Sequence, residues 1–300
     1  MSLLVKEMLT MGEKQLMDSD IADATRDCKI LYCYMMDIPF SKIILEYQEV
    51  LQDRLCDKYF ELIDRRSKGE PVQYIMGSQE FMGLEFIVNE NVLIPRQDTE
   101  TLVEDALEII NTGTLRGEDM DVKRKEWDIL DLCTGSGAIG VSLARIANKV
   151  NVTCSDISEG AIKVAKENAQ KHGVAKSVKF EHADLIKPFS KHFRKHKFDM
   201  IISNPPYIKS SVIPTLQKEV CEHEPLSALD GGESGLDFYE RIVSGVGSHL
   251  RKSGVLLLEI GHDQGEAVSG LLSRNGEFTS IRVLKDLANR DRIVFAKKSK

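Results

Sequence analysis

A chain of 300 residues has room for one large domain or two ordinary ones, and its apolar share (42%) and charged share (29%) are those of a globular protein with a sizeable core. A net charge of −7 argues against a protein whose main affinity comes from neutralising phosphates, which needs clustered Lys and Arg. No run of about eighteen apolar residues is present, and the N-terminus carries acid early without the apolar stretch of a signal peptide, so a cytoplasmic chain with no membrane partner is expected.

In chain order, residues 1–69 read as helical, with apolar positions at helical spacing (Leu3, Leu4, Met8; Ile30, Leu31, Tyr34; Ile43, Ile44, Tyr47, Leu51, Leu55). Ser19, Asp20 and Ser41 are candidate N-caps, and Pro39 breaks the chain before the last of these. A small helical bundle follows from this. Near Gly69 the character changes: two apolar runs, 85–88 and 92–94, flank the polar Asn89-Glu90-Asn91, which predicts a β-hairpin serving as a stiff connector. Asp98 or Thr99 caps a helix through Leu102, Val103, Ala106, Leu107 and Ile110, and the polar stretch 111–126 reads as a surface loop.

From Trp127 strands and helices alternate. Strands are predicted at 129–132, 150–155, 178–180, 198–202 and 254–260, and helices at 138–147, 158–171, 237–250 and 264–273. Such alternation gives a parallel sheet covered on both faces, an α/β fold. The last two runs, 280–284 and 292–296, have only a short polar link between them and should pair antiparallel at the sheet's end.

Six scattered cysteines (Cys28, Cys33, Cys56, Cys133, Cys154, Cys221) in a chain this long read as free thiols. Cys221 with His223, and His192 with His196, are the nearest approaches to metal-ligand spacing; the histidine pair lacks the adjacent acid of a zinc hydrolase, and no metal is expected. The basic patch at 189–197 (Lys191, Arg194, Lys195, Lys197) reads as a solvated loop.

The strongest local motif is Asp131-Leu132-Cys133-Thr134-Gly135-Ser136-Gly137-Ala138-Ile139-Gly140, where a strand runs into a helix. Glycines there let a ligand touch the backbone. The spacing also matches the dinucleotide fingerprint, so on this motif alone a nicotinamide cofactor and S-adenosylmethionine both remain open. Asp156, about twenty residues on at the end of the next strand, is placed to accept ribose hydroxyls, which both cofactors have. Asp184 is placed to receive an adenine amino group, with Leu185 packing on the ring.

The fourth strand ends in Ser203-Asn204-Pro205-Pro206-Tyr207-Ile208. Ligands of open α/β sheets bind outside the carboxyl ends of the strands, so this segment faces the cofactor. The Asn204 side-chain oxygen and the Pro205 carbonyl can each accept one N–H of a planar amide or exocyclic amine. Pro205 and Pro206 hold the backbone without offering competing donors, and Tyr207 can lay its ring on the flat group. A nicotinamide enzyme has no use for such a clamp, whereas a methyltransferase from S-adenosylmethionine does.

With these motifs the chain resembles the HemK/PrmC family, the release-factor glutamine N5-methyltransferases. The resemblance runs through Gly69-Glu70-Pro71-Val72-Gln73-Tyr74-Ile75, Glu80-Phe81-Met82-Gly83-Leu84 and Val92-Leu93-Ile94-Pro95-Arg96. It continues through 131–140, 203–208, Glu224-Pro225-Leu226, Gly231-Gly232-Glu233-Ser234-Gly235-Leu236-Asp237 and Glu259-Ile260-Gly261. Two positions depart from the family pattern: Cys133 stands where it has the first glycine of the cofactor loop, and Gln97-Asp98 where it has Pro-Glu.

The resemblance implies a class I methyltransferase (Rossmann-like) sheet at 98–300, a β-hairpin linker at 81–97, and a helical domain at 1–80 that recognises the protein substrate. It implies that the methyl group of S-adenosylmethionine goes to the glutamine of the Gly-Gly-Gln loop in class I release factors, with no direct nucleic-acid partner. By motif the cofactor site is Cys133, Thr134, Gly135, Ser136, Gly137, Asp156, Leu185 and Asn204, joined by Asp184 from the reading above, and the catalytic clamp is Asn204, Pro205, Pro206 and Tyr207. The alternatives are an adenine-N6 methyltransferase on DNA or RNA, and a glutamine methyltransferase of a ribosomal protein. The first 90 residues carry ten basic and seventeen acidic groups, which disfavours a phosphate-binding surface there.

Overall fold

A computed structural model describes residues 3–186 and 196–299, which leaves His192 and most of the basic patch at 189–197 outside the described residues. The chain forms two compact units, one of residues 1–78 with 216–223, the other of 79–215 with 224–300.

The first unit is helical, with α1 (Val5–Asp18), α2 (Ala24–Met36), α3 (Asp53–Ser67) and α4 (Val72–Met76). Two-residue strands β1 (Leu3–Leu4) and β2 (Val50–Leu51) pair antiparallel. Helix α1 buries Val5, Met8, Leu9 and Leu16, one helical face, against Cys28, Leu31 and Tyr32 of α2 and Tyr59 and Ile63 of α3. Gly12 makes that packing close, since a Cβ there would stand 2.5 Å from the Tyr59 hydroxyl. The helical spacing at 43–55 does not yield one helix. Phe40–Glu46 is a 3-10 turn with Ile44 and Leu45 exposed, and α3 begins only at Asp53.

Leu216–His223, with its short helix α8 (Lys218–Cys221), belongs to this first unit although it lies within the expected methyltransferase span. Its anchor is Arg66, buried at the end of α3, which donates to Asp27 at 2.7 Å and to Glu219 at 2.5 Å. Burial pushes the Asp27 carboxyl up while Arg66 draws it back toward the ionised form. Removing one member of a buried ion pair strands its partner, so Arg66→Ala should destabilise this unit by about 3–5 kcal/mol. Urea denaturation followed by circular dichroism measures this, and a change under about 1 kcal/mol, within the range of exposed pairs, would show the pair to be dispensable.

From Gln79 the second unit takes in a hairpin of β3 (Ser78–Phe81, its first residue in the first unit) and β4 (Leu84–Ile87). The hairpin expected around Asn89-Glu90-Asn91 is therefore displaced. The turn is at Met82-Gly83, both in the left-handed region, and Val92-Leu93-Ile94 form no strand. Asn168 grips Ile87 from both sides, donating to its carbonyl (3.0 Å) and accepting from its N–H (2.7 Å). Helix α5 (Glu100–Thr112) follows. The expected surface loop beyond it holds a second small hairpin, β5 (Thr114–Leu115) with β6 (Glu118–Asp119). It buries Leu115, Met120 and Val122, apolar positions too sparse in a charged stretch to signal burial.

The main sheet has seven strands: β7 (Trp127–Leu132), β8 (Val150–Asp156), β9 (Val178–His182), β10 (Phe198–Ser203), β11 (Leu250–Glu259), β12 (Phe278–Lys285) and β13 (Asp291–Lys298). Their order is β12-β13-β11-β10-β7-β8-β9. Pairing is parallel from β11 to β9, and β13 runs antiparallel to both β11 and β12, as the short link predicted. Helices α6 (Ala138–Ile146), α7 (Glu159–Lys171), α9 (Asp237–Val246) and α10 (Gly265–Asn275) complete the unit.

Alternate residues of the central strands enter two separate cores. Ile129, Met200, Ile202, Val255 and Leu257 join α5 and α6, while Leu130, Leu132, Ile201, Leu256 and Leu258 join α9 and α10. The chain steps outward from β7 through β8 to β9, then returns to place β10 on the other side of β7. That reversal opens a crevice at the carboxyl ends of β7 and β10, where ligands of such sheets bind.

Candidate active site

At the carboxyl end of β7 the chain must turn sharply into α6. Thr134 makes the turn by donating its N–H to Ser155 (3.0 Å) and its hydroxyl to the buried Asp131 carboxylate (2.6 Å), which also accepts the Gly140 N–H (3.0 Å). Gly140 allows this, since a Cβ there would stand 2.4 Å from the Cys154 sulfur. Burial pushes the Asp131 carboxyl up to about 7 against the pull of those two donors. Cys133 takes φ +59, a left-handed conformation that a glycine would adopt without strain, so the side chain is tolerated at a cost of about 1–2 kcal/mol. Burial, then the nearby Asp156 charge, hold its thiol protonated.

Gly135 is the half-buried rim of this loop. A Cβ on it would meet nothing within 4 Å, so the backbone there fronts open space. Its N–H donates to Asp156 at the end of β8 (2.9 Å), and the other oxygen of that carboxylate accepts from Ser158 (2.9 Å). Burial raises the Asp156 carboxyl, while the Ser158, Gly135 and Ile157 N–H groups favour its ionised form. The open space is a pocket whose walls also include Asn91, Val92, Ala161 and Phe238. Ser155 also lines it, with a buried hydroxyl that has no partner among the described residues.

Of the sequence-derived candidates, Cys133, Gly135, Asp156, Asp184, Leu185, Asn204 and Pro206 line this one pocket. Thr134 and Ser136 are buried beneath the loop, and Gly137, at φ +81, caps α6 under it. Asp184 reaches the pocket wall but its carboxylate is also paired with Arg241 of α9. Pro205 is buried, and Tyr207 is half-buried against the core under α9 and α10, its hydroxyl pushed up to about 12 by burial.

The backbone after β10 is braced along its length. Ile208 donates to Leu229 (3.0 Å) and accepts from Gly231 (2.8 Å), and Ser210 donates to Gly232 (3.0 Å). Gln264 donates through one nitrogen to the Tyr207 and Gly235 carbonyls (3.0 and 3.1 Å) and accepts the Gly261 N–H (2.9 Å). The Gly231–Asp237 motif therefore braces the segment after β10, packed so tightly that a Cβ on Gly231 would stand 2.7 Å from the Tyr207 Cα. The Ile94-Pro95-Arg96 and Glu224-Pro225 motifs are also partners. The buried Glu224 carboxylate accepts the Ile94 N–H at 3.1 Å and pairs with Arg96, and Asn91, Val92 and Pro225 line the pocket.

Sequence reasoning assigned no role to Thr99, Gln264 or Glu259 at the site. Asn204 donates through Nδ2 to the Thr99 hydroxyl (3.2 Å). Glu259, at the end of β11, is 1% exposed; burial pushes its carboxyl up to about 7, against hydrogen bonding from Thr99, the Arg292 charge and hydrogen bonding from Asn204. The signal available for Glu259 was an acid closing a continuous apolar strand, 254–258. Among the described residues there is no group of three or more His, Cys, Asp or Glu that could hold a metal, and no helix long and apolar enough to cross a membrane.

Two family models match the chain, the PrmC N-terminal domain over residues 7–77 and the methyltransferase small domain over residues 115–224. The chain is 40% identical over 293 residues to the release factor glutamine methyltransferase of Clostridium acetobutylicum, covering 97% of this chain and 98% of that one. It is 36% identical over 268 residues to that of Bacillus cereus, covering 89% and 90%. Among solved structures, a methyltransferase from Pyrococcus furiosus superposes with a TM-score of 0.50 at 16% identity, covering 73% of this chain and 91% of that one, a likeness of fold.

Proposed function

Because the chain belongs to the release factor glutamine methyltransferase family, we propose that it methylates the N5 amide nitrogen of the glutamine in the Gly-Gly-Gln loop of class I translation release factors, in the cytoplasm and with S-adenosylmethionine as methyl donor. The observation that carries this reading is the juxtaposition of Asn204 and Pro206 with the Gly135 loop and Asp156 in one pocket.

The residues present suit the donor. Asp156 offers a carboxylate to ribose hydroxyls, and the open face of Gly135 offers backbone to the methionine part, with Cys133, Thr134, Ser136 and Gly137 shaping that loop. Leu185 gives an apolar wall for adenine, with Asp184 beside it. When bound, S-adenosylmethionine supplies a sulfonium methyl group, already a good electrophile. What the chain contributes is orientation. Asn204 Oδ1 and the Pro205 carbonyl accept the two N–H groups of the glutamine amide, which aims the nitrogen's weak lone pair at the methyl group. Pro205 and Pro206 present no N–H that could occupy those acceptors. Tyr207 closes the flat side of the amide, and the helical first unit recognises the release factor.

The test uses purified protein, methyl-labelled S-adenosylmethionine and an unmodified release factor, with the label located by peptide mass spectrometry. Parallel samples contain duplex DNA, or release factor whose loop glutamine is changed to alanine. Label on that glutamine, absent from the alanine variant, is the expected result. Label on DNA with none on the release factor would overturn the substrate assignment, as would transfer to neither.

A further inference from the structure

An asparagine amide can do the work assigned to Asn204 in only one of its two orientations. With Oδ1 toward the pocket it accepts an N–H of the substrate. Rotated by half a turn about the terminal bond, it presents two donors to a donor. A clamp of this kind therefore needs an acceptor behind the asparagine.

The sheet register supplies it. Ser203 pairs with Leu258 across β10 and β11, so Asn204 and Glu259 leave the sheet side by side. Glu259 is 1% exposed, and its Oε2 has no hydrogen-bond partner among the described residues. Asn204 Nδ2 donates to the Thr99 hydroxyl at 3.2 Å, beside this carboxyl. Thr99 occupies the N-cap position of α5, yet its side chain makes no cap bond to that helix. A hydroxyl that forgoes its helix and accepts from Asn204 is placed for the site. The charges facing the acid are Arg292, on β13, and Asp98, next to Thr99, while Tyr239 donates to the Glu259 backbone carbonyl at 2.8 Å.

We propose that Glu259, acting with Thr99, is a positioning residue that locks the Asn204 amide with Nδ2 inward and Oδ1 toward the pocket, so that an acceptor meets the substrate nitrogen. Glu259 accepts from Asn204 and from the Thr99 hydroxyl. Thr99, its proton committed to the acid, keeps its lone pairs for Asn204. The substrate itself touches neither. This inference rests on the methyl-transfer reading of the same site.

Two variants and two readouts test it. Glu259→Gln exchanges one carboxyl oxygen for an NH2, and Thr99→Val removes the hydroxyl at nearly constant volume. Both should bind S-adenosylhomocysteine within about three-fold of wild type by calorimetry, yet lose about 10²-fold in kcat on release factor. Thr99→Ser, which restores the hydroxyl, should recover most of the rate; a purely space-filling Thr99 predicts that the valine variant is the better enzyme. Wild-type kcat in Thr99→Val would overturn the relay even if Glu259→Gln fails to fold.

The second readout needs no substrate: exchange of the Asn204 Nδ2 protons in 15N-asparagine-labelled protein, assigned with Asn204→Asp. Protection should be present in wild type and lost in Thr99→Val. Unchanged protection would overturn the relay whatever the substrate is. Lost protection alongside a wild type that does not methylate release factor would leave the relay standing and remove the substrate.

Discussion

An Asn204→Ala enzyme is expected to bind S-adenosylhomocysteine nearly as wild type does while transferring methyl groups to release factor about 10²–10³-fold more slowly, the loss typical of one preorganised hydrogen-bonding group. Two separate contributions disappear. The substrate amide loses the acceptor that fixes the rotation of its NH2 group, and the Thr99 hydroxyl and Glu259 carboxyl lose the donor between them. Because orientation matters most as the methyl moves, kcat and kcat/KM should fall together, with KM changing little. Asn204→Asp separates the contributions. It keeps an acceptor toward the pocket but brings a second carboxylate against the buried Glu259, which drives one of the two to hold a proton. If Asn204→Ala instead raised KM at constant kcat in single-turnover rapid-quench assays, the asparagine would be a handle for binding and not part of the clamp.

How much of this was legible in the sequence divides by range. The β7 and β10 motifs could be placed because each lies within one strand and the turn after it, where the chemistry of glycine, proline and asparagine is local. The sheet was legible because strands buried on both faces are continuous apolar runs, as in 198–202 and 254–258. The hairpin was misplaced because Asn89-Glu90-Asn91 is a better turn by composition than Met82-Gly83, and the grip of Asn168 on Ile87, 81 residues away, cannot be read locally. Arg66 with Glu219, and Ile94 with Glu224, were hidden for the same reason: each joins segments more than 120 residues apart. Thr99 was legible as a helix cap and wrong in that detail, because a tertiary partner outcompeted the local one.

Gly231→Ala should cost about 10²-fold in kcat although residue 231 is assigned no contact with substrate or donor. Its added methyl group would stand 2.7 and 2.8 Å from the Tyr207 Cα and carbonyl carbon and 3.0 Å from the Pro206 oxygen. All three are backbone atoms, so no side-chain rotation relieves the overlap. The Gly231 N–H is meanwhile held to the Ile208 carbonyl at 2.8 Å, which stops the loop from simply backing away. The strain must go into the segment 205–208, and a displacement approaching 1 Å there misaligns the acceptors that orient the amide. Overpacking also lowers stability, by about 1–3 kcal/mol, so activity is to be compared at a temperature where both proteins are folded. Gly270→Ala is the matched control, because its methyl group would meet only the mobile end of Arg274 at 3.2 Å. Donor affinity should hold within a few-fold in both variants, since the Gly135 loop and Asp156 lie on other strands. Wild-type kcat in Gly231→Ala would mean that the loop after β10 yields freely, and that the braces from Leu229, Gly232 and Gln264 do not set the position of the clamp.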